Sequence, residues 1–506
     1  MASGTTIDGS RVEHRSLLYW MERVLKELEE MGAAPDADVV HDLRVAIRRC
    51  RSVGAVMQEV DPDPAWPQMR KLGRKLFRQL GELRDTQVLE DWVKKLGGET
   101  DPVRLRLLAS LEAQERELRE AALRIEAKFD QRAWKKLENR LERRARLVPP
   151  DGAAAECLVL ERLEAAKELH TRAMRTEKPA AWHELRIGVK RFRYTVESLL
   201  PTRYEAWSED LKRLQDLLGE IHDLDVLSTT VAEMAAAEPE EARAAWSERI
   251  TSERFERTET YRQLTLGRTS LWQTWRQGLP HGLRLENAAM ARIRATARAM
   301  DGNARRTVQV SRFALHLYDG LVRVQAAPVF QNKELRKLMR AAARLHGIGS
   351  GLDGKAPEKA ARDHLLDMVV PAGWTDAEWK LLANIVRYHR GTQPQQKQKG
   401  FAKLSADEQK TVCALAGILR LARTLRKCGV VSPVGMRMER TADAILVHLP
   451  GLVASEQAAA RLAAGKYLLE SCVERPLILK PAPAMPKVVE LRRTEEIPPA
   501  SAAASD

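Results

Sequence analysis

The sequence predicts an all-α protein: two tandem four-helix-bundle units, a third helical domain with at most a short β pair, and a disordered C-terminal tail. Three observations carry that prediction. Charged residues make up 30% of the chain and aromatic residues only 5%, a composition of long surface helices rather than of a β-rich fold. Apolar residues recur at three- and four-residue spacing over most of the length, the period of a helix with one buried face. One basic helical pattern also occurs twice in the same internal order, which makes a large duplication the economical account of the first half.

At 506 residues the chain is too long for a single core. Its 84 Lys+Arg against 70 Asp+Glu give a net charge of +14, an excess that suits a polyanionic partner or an anionic membrane surface. Cys50, Cys157, Cys413, Cys428 and Cys472 are scattered without a C-x-x-C pair, so neither a disulfide framework nor a zinc site is indicated. Met1 to Ser10 lack the apolar stretch of a signal peptide, and no apolar run reaches the roughly 18 residues of a membrane span. A cytoplasmic location is the expectation.

Residues 11–31 read as an amphipathic helix through Leu17, Leu18, Met21, Val24, Leu25 and Leu28, ending before Gly32 and Pro35. Asp38 is a candidate cap for the next helix, which carries His41, Arg44, Arg48 and Arg51. At about 100° per residue these four share one side, and Leu43, Ile47, Cys50 and Gly54 lie opposite. Asp61-Pro62-Asp63-Pro64-Ala65-Trp66-Pro67 is a turn or loop. A second basic helix follows, with Lys71, Arg74, Lys75 and Arg78 as its stripe and Leu72, Leu76, Leu80 and Leu83 as its core side. It runs into Gly81-Glu82-Leu83-Arg84-Asp85-Thr86-Gln87-Val88-Leu89. Helices over roughly 101–128 and 130–147 precede the break at Pro149-Pro150-Asp151-Gly152.

The pattern then restarts. Residues 154–175 are helical; His183, Arg186, Lys190 and Arg193 repeat the cation spacing, with Leu185, Val189, Phe192 and Val196 on the opposite side, and Pro201 closes the helix. A helix from 207 ends in Gly219-Glu220-Ile221-His222-Asp223-Leu224-Asp225-Val226-Leu227, which matches Gly81 to Leu89 nearly position by position. His183 follows His41 by 142 positions and Gly219 follows Gly81 by 138. Arg- and Glu-rich helices continue to about 275, and Gly278 to Gly282 reads as a domain boundary. The expected units are 11–150, 151–277 and 285–480, with a Pro- and Ala-rich tail over 481–506 that has no periodic core.

Like charges three and four residues apart on a helix repel by a few tenths of a kcal/mol per pair. An isolated basic stripe is ordinarily solvated surface balanced by neighbouring carboxylates. A merely solvated face has no reason to repeat its cation spacing, so both copies are read as facing something multiply negative.

The His-x-x-Arg-x-x-x-Arg/Lys helix followed by Gly-Glu-x-x-Asp-x-x-Val-Leu resembles the CHAD family of conserved-histidine α-helical domains, over residues 11 to about 275. That resemblance implies binding of inorganic polyphosphate, association with polyphosphate granules, and partners among granule proteins or polyphosphate-metabolising enzymes. Carried over residue by residue, it implies ligands at His41, Arg44, Arg48 and Arg51 and at His183, Arg186, Lys190 and Arg193. It adds Lys71, Arg74, Lys75, Arg78 and Arg84 from the first unit, and Lys212, Arg213 and His222 from the second. The chemistry agrees with that set. Polyphosphate carries about one negative charge per phosphate, and binding it releases counterions as nucleic-acid binding does. Guanidinium forks give paired charge-assisted hydrogen bonds where lysine gives a point charge, and a polyanion raises a nearby imidazole pKa. The copies differ in that Arg84 and Gln87 stand where the second has His222 and Asp225, and Arg78 where it has Asp216. The first unit is therefore expected to bind more tightly.

The stretch from Asn303 to Asp319, Leu338 to Gly349, Pro371 to Trp374 and Leu381 to Arg390 resembles the C-terminal HD-like domain of the exopolyphosphatase/guanosine-pentaphosphatase family. The best matches are Leu345-His346-Gly347-Ile348-Gly349 and Val386-Arg387-Tyr388-His389-Arg390. An HD-type hydrolase holds divalent metals with His and Asp ligands from several helices. Here Asn303 replaces a histidine, Gly347 replaces the aspartate after His346, and Ala361 falls where a later histidine would, with His364 three residues on. The resemblance thus implies a degenerate domain, with no cofactor and no resident metal, in which His346 is a buried, hydrogen-bonded core residue. No Gly-rich phosphate loop is present either. Arg387, His389 and Arg390 either extend an anion-binding surface or offset a helix dipole. Further on, Pro394 to Gly400 is a polar loop and 408–428 an amphipathic helix. Ala444–Leu449 and Pro476–Leu479 are expected to pair as short strands about a helix at 455–473.

The expected function is non-enzymatic polyphosphate binding through a cationic helical channel, with a granule-associated or regulatory role. The alternatives are a polyphosphate or nucleotide phosphohydrolase using the HD-like domain, and a nucleic-acid-binding protein. Against the last stand the lack of aromatic residues interleaved with the cations and of a compact helix-turn-helix reader.

Overall fold

A computed structural model describes residues 16–33, 37–234, 238–352 and 355–483. The expected helix start at 11–15 and all of the expected tail beyond residue 483 lie outside them. The first half folds as α1 (Leu17–Ala33), α2 (Ala37–Met57), α3 (Ala65–Leu72), α4 (Arg74–Leu96), α5 (Pro102–Glu126), α6 (Gln131–Ala145), α7 (Ala153–Thr176), α8 (Pro179–Leu199), α9 (Pro201–Met234), α10 (Glu240–Thr265) and α11 (Leu271–Gln277). It continues as α12 (Gly282–Met300), α13 (Ala304–Arg323), α14 (Leu335–Leu345), α15 (Pro357–Asp367), α16 (Asp376–Tyr388), the single turn α17 (Lys399–Ala402), and α18 (Ala406–Lys427). Strands β1 (Arg437–Arg440) and β2 (Ile445–Pro450), helix α19 (Glu456–Val473) and strand β3 (Leu477–Ala482) end the described chain.

The all-α class holds, and both apolar faces land where the periodicity puts them. Leu43, Ile47, Cys50 and Gly54 of α2 are buried, as are Leu185, Val189, Phe192 and Val196 of α8. The first copy supplies six helices and the second five, and both contribute to one large core that runs from Leu17 to Ala295 and to a smaller one around Trp92, Val103, Leu224 and Trp246. Trp66, Trp134, Trp272 and Trp275 are fully buried within the large core. Each removes roughly 150–250 Å² from water, so a few tryptophans supply the bulk that a low aromatic content would otherwise deny the core.

Several boundaries differ from the sequence reading. Gly32 lies inside α1, and Asp38 sits in the first turn of α2 rather than before it. The second basic helix of the first copy is broken at Gly73 into α3 and α4. A Cβ at Gly73 would stand 3.2 Å from the Ile47 side chain, so glycine admits α2 at the break. The second copy has no such interruption: α9 starts at Pro201, not at 207, and runs through 34 residues.

The expected strand pair is present as parallel β2 and β3, with β1 added antiparallel on β2's other edge. Pro481 and Ala482 therefore belong to a strand, not to the tail. Ser455 caps α19 by accepting from the Ala458 N–H at 3.1 Å. Compactness divides the chain differently from the expected domains. One unit holds the described residues up to Ala304 together with Arg344–Arg387, and the other Arg305–Ala343 with the described residues from Tyr388. The chain does turn at Gly282, where φ is 51°, but α12 then packs on α7 within the first unit. No helix among the described residues is long and apolar enough to cross a membrane.

Candidate anion-binding cleft

The cleft follows from which faces α2 and α8 bury. Each gives its apolar side to the core, and the two pack against each other, as do α4 and α9. The cationic sides are thereby brought together. Charge from Arg48 and Arg186 acts on Arg44; Arg44, Arg48 and Arg186 act on Lys190; and Arg193 acts on Arg48. Five cations from the two copies thus converge: Arg44, Arg48, Arg186, Lys190 and Arg193.

Close ion pairing neutralises little of that charge, although Asp223 acts on Arg186 and Lys190, and Asp216 on Arg193 and Lys190. Among the described residues Arg48, Arg186, Lys190 and Arg193 form no ion pair, and Arg44 reaches only Asp85, at 3.9 Å and 70% exposed. Such an exposed, long contact contributes little. Buried nitrogens of Arg44 (Nη1), Arg48 (Nε), Arg186 (Nε) and Arg193 (Nε) have no hydrogen-bond partner in the protein. An unsatisfied buried donor costs about 1–3 kcal/mol, and these N–H groups remain available to an acceptor.

The protein instead supports the guanidinium planes with aromatic rings. Arg48 lies 5.0 Å from the Tyr194 ring centroid, Arg44 5.5 Å and Arg51 5.1 Å from that of Phe77. The sequence reading missed both rings, and it held that no aromatics interleave with the cations. They do, but Tyr194 is buried and guanidinium groups occupy these faces, so the rings orient arginines rather than stack bases. The available signal was position: Tyr194 directly follows Arg193, and Phe77 directly precedes Arg78.

Protonation is strongly perturbed in the second copy. Burial, then the charges of Arg186, Arg48 and Arg44, push the Lys190 ammonium down to about 7. Asp223, also missed, is pushed up to about 6 by burial, against the pull of Arg186 and Lys190. His183 and His222 meet Nδ1 to Nδ1 at 3.3 Å, one donating to the other. Burial first, then Arg186, His183 and Lys190, hold His222 down to about 4.

The remaining candidates are peripheral to these groups. His41, Lys71, Arg74, Lys75 and Arg78 are exposed, and Arg78 stands 3.7 Å from Glu82. Arg51 donates to the Arg70 carbonyl at 2.6 Å, and Arg84 makes a long contact of 3.5 Å to Gln87. Lys212 and Arg213 line a shallow depression shared with Glu209, Asp216 and Glu220, where the charges are mixed. Arg49, absent from the candidate set, is buried and pairs with Glu197, joining α2 to α8.

A helical domain in which two copies of one basic helix turn their cations toward each other is the class that fold and cleft define. Residues 15–232 match the family model of the CHAD domain, and residues 290–442 match that of the Ppx/GppA phosphatase, domain III. Among solved structures, that of the CHAD domain from the plant Ricinus communis is similar at 23% identity, covering 55% of this chain and 93% of its own, with a TM-score of 0.37. No curated protein matches the chain.

In the region matching domain III, His346 is buried and Asn303 donates its N–H to Asp301 at 2.9 Å. Ala361 packs 3.2 Å from where a Gly349 Cβ would stand. Burial lowers the pKa of His364. Among the described residues no three of His, Cys, Asp and Glu are grouped so as to hold a metal ion. Arg387 is buried and contacts Glu358 at 3.5 Å, and His389 is buried as well.

Proposed function

We propose that the chain binds inorganic polyphosphate lengthwise along the cleft between α2 and α8 without hydrolysing it. In this reading it acts in the cytoplasm as a granule-associated or regulatory protein, and the domain III-like region serves as an accessory or assembly module. The carrying observation is the set of buried guanidinium N–H groups that lack a protein partner while five cations converge. A polymer with one charge per phosphate meets that demand better than any single small anion, because the cations come from two helices. Both matched families bear on phosphate-polymer chemistry, which supports the same reading.

The test is simultaneous charge reversal, Arg44→Glu, Arg48→Glu, Arg186→Glu and Lys190→Glu, scored for polyphosphate affinity, with helical content followed by circular dichroism. Binding should be lost while helicity stays. With glutamine at the same four positions, which removes the contacts without adding repulsion, the slope of log affinity against log salt should flatten by about 3, from four contacts at roughly 0.7 each for a single-stranded polyanion. Competition with DNA at rising salt separates this reading from nucleic-acid binding, since DNA should be displaced first. The match to a phosphatase domain gives the hydrolase alternative its footing. Phosphate release from polyphosphate with Mg²⁺ or Mn²⁺ would replace the proposal with that alternative, and none is expected.

A further inference from the structure

The unit built from Arg305–Ala343 and the chain from Tyr388 contains a second concentration of positive charge that the cleft does not use. Helices α18 and α19 approach closely at two glycines. A Cβ at Gly417 would stand 2.9 Å from the Leu469 N, and one at Gly465 would collide with the Thr424 side chain. At the Thr424–Gly465 end this contact opens into a cavity of about 560 Å³, a volume within the usual range for small-molecule sites. His389, Arg390, Arg420, Arg423, Lys427 and Arg461 all line it, and among the described residues no carboxylate does.

The cations are held there by the fold. Arg420 donates to the carbonyls of Tyr388 at 2.7 Å, Gly391 at 3.0 Å and Thr392 at 2.9 Å, which fixes its guanidinium at the cavity wall. Arg423, Lys427 and Arg461 form no ion pair among the described residues. The Arg426 Nε is buried without a hydrogen-bond partner. Burial, then the charges of Arg306, Arg390, Arg426 and Arg420, push Arg423 down to about 10. Burial, then Arg423, Arg306, Arg461 and Arg426, likewise lower Lys427. The largest charges acting on these two groups are positive, so mutual repulsion is built into the arrangement. A bound anion would relieve that repulsion.

We propose that this cavity is a second anion site, which takes a compact run of consecutive phosphoryl groups. The run is either a short free oligophosphate or the phosphate tail of a nucleotide. Its cations come from three segments, His389–Arg390, α18 and α19, that meet at one cavity, which distinguishes it from a lengthwise polymer site. The proposal does not depend on the function of the first cleft.

The experiment uses the full chain with the first cleft silenced by Arg44→Gln, Arg48→Gln, Arg186→Gln and Lys190→Gln, titrated calorimetrically with tripolyphosphate. One equivalent should bind. Adding Arg423→Gln and Arg461→Gln should weaken that binding at least tenfold without lowering the melting temperature. Lys427→Gln with Arg461→Gln, both on exposed side chains, serves where Arg423→Gln fails to fold, and should also weaken binding. ATP that competes with tripolyphosphate assigns the site to a nucleotide; ATP that does not compete assigns it to free oligophosphate. Absence of tripolyphosphate binding in the cleft-silenced chain would overturn the proposal, and so would binding indifferent to the cavity substitutions. Neither result would affect the first cleft, whose polymer affinity is read separately.

Discussion

The two copies of the basic helix present the same spacing but different chemistry. In the first, Arg44, Arg48 and Arg51 are all guanidinium groups, supported by Phe77 and Tyr194, and their charge does not titrate near neutral pH. In the second, Lys190, His222 and Asp223 are all displaced from their ordinary pKa values, to about 7, 4 and 6. One copy thus contributes fixed positive charge, and the other charge that responds to pH and to the ligand. Framing differs as well. The first copy follows α2 with the loop at Asp61–Pro64 and a break at Gly73, whereas the second passes from α8 into the unbroken α9 within a residue. Duplication conserved the cation spacing and let the surroundings diverge.

The largest expected effect lies in that framing. Fully buried Asp61 accepts from Trp66 Nε1 at 2.8 Å and pairs with Arg144 of α6, while Asp63 pairs with Arg140 at 2.9 Å. The second copy has no equivalent loop to anchor. Asp61→Ala removes one partner of a buried ion pair and leaves Arg144 with Asp63 alone, at 3.1 Å, a loss of roughly 3 kcal/mol, the low end for breaking a buried pair. Urea unfolding should report it, and polyphosphate affinity of the folded fraction should not change. A loss below about 1 kcal/mol would show that the loop is not what holds the first copy in place.

The next effect sharpens the fixed-against-titrating contrast. Above pH 7 Lys190 is mostly neutral in the free protein, and a polyanion favours its charged form, so binding takes up a proton. Affinity should therefore rise as pH falls from about 8.5 to 7, by up to tenfold per unit for one linked proton. Nearing pH 6, Asp223 begins to lose its negative charge, and the trend should continue. Stability of the free protein should have the opposite slope in the upper window. There the unfolded chain keeps the lysine proton to near its ordinary 10.5 while the folded chain has lost it, so stability rises with pH. Calorimetry in buffers of different ionisation enthalpy measures the proton uptake directly. Lys190→Arg should keep the affinity at pH 6 and abolish the uptake near pH 8; equal uptake in that variant would move the linkage to another group.

How much of this was legible in the sequence depends on whether a property is periodic or tertiary. The buried faces at Leu43, Ile47, Leu185 and Val189 followed from spacing alone, and so did the alignment of Arg44 with Arg48 and Arg186 with Lys190. The break at Gly73 did not, because a glycine within a helical pattern is tolerated and its reason, the close approach of Ile47, lies on another helix. His41 and His183 looked equivalent by offset. One is exposed, whereas the other meets His222, a position where the first copy has Arg84. The substitution was visible, but its consequence needed the packing of α8 on α9. Tyr194 and Phe77 escaped for a similar cause: a ring's orientation beneath a guanidinium from another helix leaves no trace in local pattern. The third strand was also missed, since Arg437–Arg440 has only one apolar residue and pairs at an edge.

The smallest effect separates the two glycines that begin the Gly-Glu-x-x-Asp segments. A Cβ on Gly81 would lie 2.8 Å from Arg44 Nη1, whereas one on Gly219 would meet nothing within 4 Å. Both sit inside helices, where alanine is favoured over glycine by about 1 kcal/mol. Gly219→Ala should therefore stabilise by about that amount and leave polyphosphate affinity unchanged. Gly81→Ala gains the same helix propensity but forces the Arg44 guanidinium, a movable side-chain end, out of its place over Phe77. Its stability should change little while affinity falls several-fold at constant salt. Equal affinity in the two variants would show that Arg44 binds as loose charge, and that the close contact with Gly81 does not position it.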